Sequence, residues 1–273
     1  MKKVGIIYHP LNEGTLSLAQ KLAGQLKSAA VDSWLCSAWE DKQLCHQISG
    51  TDLMLTIGGD GTILRTAQAV VPHSVPITGI NMGNLGFLTE LSADEAADKL
   101  PALLAGRGWI DERSMLEVEL NTAAKKQQFF VLNDVVIARG DIARIIYVEA
   151  IINGQPLTTY KADGVITATA TGSTGYALAA GGPILPPQAK QFLLVPIMPH
   201  LSFGSSLVLP LETEVELRVG AIHKAIFSID GHISLPLGGG DSIKIKHSLA
   251  KTRFLRISPR DSYYATLEQK LKG

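Results

Sequence analysis

The hydrophobic period of this chain changes once, near Gly106-Arg107-Gly108, and that change limits the possible folds more than any single motif. Before it, apolar strand-like runs alternate with segments of helical period. Lys3–Tyr8, Val31–Cys36, Asp52–Ile57 and Pro76–Ile80 read as strands. Glu13–Ala30, Asp41–Ile48, Thr62–Val70 and Ala93–Leu104 read as helices, the last opened by Ser92 with Asp94 and Glu95 in its first turn. Such alternation implies a parallel sheet covered on both faces. After the change the period is two, as in Leu116-Glu117-Val118-Glu119-Leu120, Val215-Glu216-Leu217-Arg218-Val219 and Ile243-Lys244-Ile245-Lys246. That is the signature of antiparallel strands with one wet face. Asn153-Gly154, Asp163-Gly164 and Asp230-Gly231 supply turns, and Gly238-Gly239-Gly240 a loop. The expected architecture is an α/β domain over residues 1–106, with the tail 255–273 as a candidate addition to it. A mostly β domain of two packed sheets follows over 107–254, with one short helix near Thr174–Ala180.

Composition narrows the function classes. The 25 basic and 25 acidic residues cancel and are scattered, so no footprint for nucleic acid or an anionic membrane is visible. No apolar run reaches the ~18 residues of a membrane span. The N-terminal residues read as a strand rather than a signal peptide. Cys36 and Cys45 match no metal spacing and read as reduced thiols, so a cytoplasmic location is expected.

Leu53–Thr62 carries the first chemistry. A short apolar strand enters Gly58-Gly59-Asp60-Gly61-Thr62, and a helix follows. Glycines admit anionic groups close to backbone N–H groups, and a helix start adds unpaired donors and partial positive charge. Asp60 is out of place beside phosphate unless it has a chemical task; the plain alternative is a helix cap. Neither G-x-G-x-x-G nor G-x-x-x-x-G-K-[ST] is present. The loop Asn81–Phe87 follows the next strand and would share the carboxyl edge of the sheet with Asp60. Asn133-Asp134 interrupts an apolar run, as a bulge or as a pair of groups for a polyol such as ribose. Thr159–Pro187 packs threonine, serine and glycine around Tyr176, in keeping with a nucleotide's base and phosphates. His200 and His232 are lone histidines, no side-chain cluster has metal-site spacing, and no G-x-S-x-G occurs.

Taken together, these segments resemble the ATP-NAD kinase family. The resemblance rests on Gly58–Thr62, Asn81–Phe87, Leu132-Asn133-Asp134, Asp163-Gly164, Thr171–Tyr176, Ala180-Gly181-Gly182-Pro183, Pro199-His200 and Asp230-Gly231, in family order. The first motif also occurs in diacylglycerol-type lipid kinases and, varied, in phosphofructokinases. Thr171–Tyr176 followed by Gly181-Gly182-Pro183 is more specific. Asp134 stands where many members have Glu, His232 where Gln is common, and Thr169-Ala170-Thr171 where Ser-Thr-Pro-Thr is usual.

The resemblance implies a phosphofructokinase- or diacylglycerol-kinase-like first domain and transfer of the γ-phosphoryl of ATP to the 2′-hydroxyl of NAD's adenosine ribose. Asp60 would be the general base. Amides around Gly58, Gly59 and Gly61 would face phosphate oxygens, and Thr62, Arg65 and Asn81 would add substrate or nucleotide contacts. Asn133 and Asp134 would hold the ribose and adenine region. Arg144, Lys161, Asp163, Thr171, Thr174, Gly175, Tyr176, Ala177, Leu178, Ala179 and His232 complete the implied contacts. A divalent cation such as Mg²⁺ would arrive on ATP, with no dedicated protein cage. The partners implied are NAD, ATP and further copies of the chain, as a homodimer or homotetramer with shared sites. The alternatives are a lipid kinase of the diacylglycerol or sphingosine type, and a non-catalytic nucleotide sensor.

Overall fold

A computed structural model describes residues 1–40, 47–83, 86–141, 144–201, 203–220, 224–260 and 262–272. The expected helix over Asp41–Ile48 and Cys45 lie largely outside these residues. The chain forms two compact units, Met1–Glu112 with Thr252–Gly273, and Arg113–Lys251.

The first unit is an α/β layer structure. Strands β1 (Lys3–Tyr8), β2 (Asp32–Ser37), β3 (Leu53–Ile57), β4 (Ile77–Asn81) and the short β5 (Leu91–Ser92) run parallel in the order 5-4-3-1-2. Helices α1 (Glu13–Ser28) and α3 (Ala93–Leu104) bury Leu18, Leu22, Leu26, Ala96, Leu100 and Leu103 against Val4, Ile6, Leu53, Leu55 and Ile80. Helix α2 (Asp60–Val70) takes the opposite face, where the Thr56 and Thr66 hydroxyls meet at 3.2 Å. Burial on both faces is why β3 and β4 read as unbroken apolar runs. Helix α3 starts in a capping box: Ser92 Oγ accepts from the Glu95 N–H, and the Glu95 carboxylate accepts from the Ser92 N–H. The chain returns to this unit late. Phe254 pairs with Ile77, the Thr78 hydroxyl donates to Leu255 O at 3.0 Å, and Trp109 Nε1 donates to Ser258 O at 2.9 Å. Helix α5 (Ser262–Lys272) follows.

The second unit is built from antiparallel strands in two sheets. The first pairs β10 (Gln155–Ala162), β9 (Ile146–Ile152), β14 (Val215–Val219) and β17 (Ser242–Arg256) in that order, and β17 also pairs β6 (Trp109–Asn121), which pairs β7 (Lys126–Val131). The second runs β13 (Leu207–Leu209), β12 (Phe192–Ile197), β11 (Gly164–Ala168), β8 (Asp134–Arg139), β15 (Ala225–Ile229), β16 (Ile233–Leu237). Their core interleaves Leu116, Val118, Val148, Leu217 and Ile245 with Val135, Ile137, Val165, Leu194 and Phe227. The first sheet keeps a wet face: Glu117 points outward and pairs with Lys246 at 3.1 Å. In the second, the central strands β8, β11 and β12 are covered on the other face as well, where Ala177, Ala180 and Leu185 pack on Val136, Ile166, Ala168 and Val195. Ala177 belongs to the one-turn helix α4 (Tyr176–Ala179).

Two polar dipeptides sit elsewhere than the local pattern suggests. Asn133-Asp134 is no bulge within a strand; it is the passage from β7 in one sheet to β8 in the other. Asp163-Gly164 is likewise the step from β10 to β11, between sheets, rather than a hairpin tip. Asn153-Gly154 and Asp230-Gly231 are true hairpin tips, each with both residues at positive φ.

Candidate functional site

In the first unit the sequence places a carboxylate at the carboxyl edge of the parallel sheet. Strand β3 ends at Ile57 and Gly58 turns the chain at φ 152°, a conformation that L side chains rarely adopt; a Cβ there would also strike the Thr62 side chain. Gly59 caps α2 without a side-chain hydrogen bond, so the helix begins at Asp60, two residues before the apolar period indicates. Asp60 Oδ2 accepts from the Phe87 N–H at 2.8 Å, and Oδ1 from the Leu88 N–H at 3.0 Å. A Cβ on Gly86 would run into this carboxylate. The second glycine-rich loop therefore holds Asp60 rather than standing beside it. Its residues Asn84 and Leu85 lie outside the described ones.

Gly59 and Gly61 differ from Gly58. A Cβ on either would meet nothing within 4 Å, and neither has a positive φ. Among the described residues, nothing in the packing requires glycine at either position. The Thr62 hydroxyl is buried and has no hydrogen-bond partner among the described residues. Arg65 is half-buried one turn further along α2, and Asn81 is buried at the end of β4. The loop before α1 shares this edge: the His9 N–H donates to Ile57 O at 3.1 Å, and Asn12 caps the helix on the Gly14 N–H.

The second unit gathers its candidates around another carboxylate. Asp230, at φ 48° in the β15–β16 hairpin, accepts from three consecutive N–H groups: Leu132 at 3.1 Å, Asn133 at 2.7 Å and Asp134 at 3.1 Å. Thr169 ties in the next segment, its N–H donating to Asn133 O at 2.9 Å and its hydroxyl to Leu132 O at 2.5 Å. Gly172 packs so closely that a Cβ would meet Asn133 O, and a Cβ on Gly175 would lie 3.7 Å from Asp134 Oδ2. Asn133, Asp134, Thr171, Thr174, Gly175 and the Asp230–His232 tip are thus one constellation. Arg113 donates to the Thr171 hydroxyl at 3.3 Å, and Thr174 donates to Thr171 O at 3.2 Å. Asn133 Oδ1 is buried without a hydrogen-bond partner among the described residues. Burial, with the Asp230 charge adding to it, pushes the Asp134 carboxyl up to about 7. Tyr176 and Ala179 are exposed, Leu178 is half-buried, and the Ala177 side chain is packed under the sheet.

Asp163 and Lys161 are not in this constellation. Gly164 is registered with Ala138 and Ala168 with Asp134, so Asp163 lies beyond the other end of β11, on the order of 17 Å away at ~3.3 Å per residue. There Asp163 pairs with Arg139 at 3.4 Å. Arg144 is exposed in the following connection.

The Phe87 and Leu88 amides and the Asp230 carboxylate were not legible as site components. Backbone N–H groups leave no residue signature, and Asp230-Gly231 reads as an ordinary turn. A glycine at 86, next to a loop at the same sheet edge, was the available hint.

Comparison with known proteins decides the family. The ATP-NAD kinase N-terminal domain matches residues 13–108, and the ATP-NAD kinase C-terminal domain matches residues 132–257. The chain belongs to the ATP-NAD kinase family. It is 51% identical over 274 residues to an NAD kinase of Dehalococcoides mccartyi, covering 100% of this chain and 96% of the relative. An NAD kinase of Chloroflexus aurantiacus is 38% identical over 273 residues, at 100% and 99% coverage. Among solved structures, an NAD kinase from Archaeoglobus fulgidus in complex with ATP superposes with TM-score 0.79 at 26% identity, covering 99% of this chain and 98% of that one. Yeast NADH kinase complexed with NADH shares the fold, with TM-score 0.87 at 24% identity, covering 98% and 87%. Membership in this family leaves the lipid-kinase alternative without support. No helix among the described residues is long and apolar enough to cross a membrane.

Proposed function

We propose that this protein is an ATP-dependent NAD kinase, moving the γ-phosphoryl of ATP to the 2′-hydroxyl of the adenosine ribose of NAD. The observation that carries the reading is the Asp60 carboxylate, fixed by the Phe87 and Leu88 amides at a helix start whose flanking glycines the fold itself does not require. Each oxygen accepts one amide hydrogen there, which leaves lone pairs to orient the hydroxyl and take its proton. Phosphoryl transfer depends mostly on positioning and charge neutralisation, and unpaired N–H groups at the start of α2 suit phosphate oxygens. Asp60 and the Thr62 hydroxyl, which has no hydrogen-bond partner among the described residues, are hard oxygen donors, compatible with a divalent cation held mainly by the nucleotide's phosphates. That cation, when bound, neutralises charge on the transferring group.

In the second unit, Asn133 and Asp134 present an amide and a carboxyl for the ribose and adenine of NAD, with Thr171, Thr174 and Gly175 beside them. Arg65 and Asn81 serve the nucleotide from the first unit, while Tyr176, Leu178, Ala179 and His232 contribute from the second. Asp163 and Lys161 act on the site of a neighbouring copy; the support is their place at the far end of β11 from Asn133. The deciding experiment measures NADP formation from NAD and ATP-Mg²⁺, with a diacylglycerol dispersion as competing acceptor. Turnover of the lipid alone, or of neither, would sink the reading. Mixing an Asp60→Asn protein with an Asp163→Ala protein tests the shared site. Recovery of activity in the mixture supports it, and none overturns it.

A further inference from the structure

Leu88 is gripped on both sides of its backbone. Its N–H donates to Asp60, and its carbonyl accepts from Arg256 at 2.8 Å. The same guanidinium nitrogen donates to Thr89 O at 3.2 Å and meets Glu90 Oε2 at 3.3 Å, while Arg256 Nε meets Asp111 Oδ2 at 3.3 Å. Arg256 is 6% exposed, Leu88 2% and Asp111 2%. A buried guanidinium is costly unless its charge and donors are matched, and here two carboxylates and two carbonyls match them. Glu90 then binds the strand end itself, its other oxygen accepting from the Ile257 and Ser258 N–H groups at 2.7 and 2.6 Å. The Phe254 ring lies beneath the guanidinium at 4.7 Å. The segment has no slack elsewhere: the Gly86 N–H donates to the Thr89 hydroxyl at 3.0 Å, and the Glu90 N–H to Gly79 O at 2.8 Å.

We propose that Arg256 is a positioning residue for phosphoryl transfer: from the returning C-terminal strand it fixes the Leu88–Thr89 backbone, and through the Leu88 and Phe87 amides it sets the direction of the Asp60 carboxylate. This rests on Asp60 being the base. None of the Arg256 contacts described above is to Asp60 itself. The effect of Arg256 is geometric, and misplacement of a reacting group by about 1 Å costs on the order of a hundredfold in rate. Lysine keeps the charge but not the planar fork that reaches carbonyls and carboxylates together.

The test uses the full chain carrying Arg256→Lys, with Thr78→Val as control. Thr78 bonds to Leu255 O on the same strand, so its loss perturbs that strand while every hydrogen bond from Arg256 to Leu88 and Thr89 is kept. Amide hydrogen exchange is read at Phe87 and Leu88, together with kcat and KM for NAD. In Arg256→Lys, exchange at both amides should speed at least tenfold and kcat should fall roughly ten- to a hundredfold, with KM for NAD within about twofold. In Thr78→Val, melting temperature should fall while those amides and kcat stay as in the parent. Faster exchange with unchanged kcat, or an equal fall of kcat in both variants, overturns the proposal while Asp60→Asn remains inactive. An Asp60→Asn protein that keeps full kcat removes the base reading, and the positioning role falls with it.

Discussion

Two aspartates in this protein are held in the same way, and we propose opposite roles for them. Asp60 accepts from two consecutive amides of a remote loop, Asp230 from three. Asp230 sits buried at a left-handed hairpin position, and two of its three bonds converge on a single oxygen. Asp60 is half-exposed, carries one amide on each oxygen, and is flanked by glycines with open space beside them. The lesson is that an amide clasp alone does not mark a catalytic group. What separates the two is whether the carboxylate keeps lone pairs and room for a substrate.

That contrast can be broken at several points. Asp60→Asn should have the largest effect, lowering NADP formation by about 10²–10⁴-fold, with NAD binding by calorimetry essentially unchanged; near-parental turnover would remove the distinction. Asp230→Ala should do the reverse, leaving three buried N–H groups unsatisfied. We expect unfolding stability to fall by roughly 1–3 kcal/mol or more, with weaker NAD binding because Asn133 and Asp134 lose their placement. A variant with normal urea midpoint and normal affinity would show the clasp to be idle.

Asp134 sharpens the comparison through pH. Its folded-state value, near 7, lies above that of the unfolded chain, near 3.8. Between those values the folded protein keeps a proton that the unfolded chain releases, so stability from this group is present below about pH 4 and is lost as pH rises toward 7. Asp134→Asn should therefore raise the urea midpoint more at pH 8 than at pH 4; a constant difference across that window would contradict the buried carboxyl. The smallest effect on the fold is expected from Gly61→Ala. It should stabilise α2 by about 0.5–1 kcal/mol while lowering turnover with ATP, and a variant both more stable and fully active would remove the argument for ligand approach.

Much of the fold was written locally. Period two at Leu116–Leu120 matched a sheet with one wet face, and continuous runs such as Leu53–Ile57 matched strands buried twice. The apolar period places the start of α2 two residues late, because Gly59 caps the helix without any side chain to announce the boundary. At Asn133-Asp134 the sequence leaves a bulge open as an alternative, because a crossing between sheets and a break within a strand leave the same local pattern. In the site, side-chain candidates at the glycine turn were legible, since strand, glycines and helix are contiguous. The contacts that orient them were not: Phe87, Leu88 and Leu132 act through backbone groups, and Asp230 and Arg256 act across long separations that no local window spans.

The late return of the chain to its first unit also has a consequence for synthesis. Domains tend to form as they emerge from the ribosome, the N-terminal one first. Here Asp60, Phe87 and Leu88 emerge early, whereas Arg256, Ile257 and Ser258 follow only after the entire β-rich unit has been made. The nascent first unit would wait with its Leu88 and Thr89 carbonyls and its Glu90 carboxylate uncovered. On this view the kinase matures from its second half backwards, and the last strand translated completes the first site laid down.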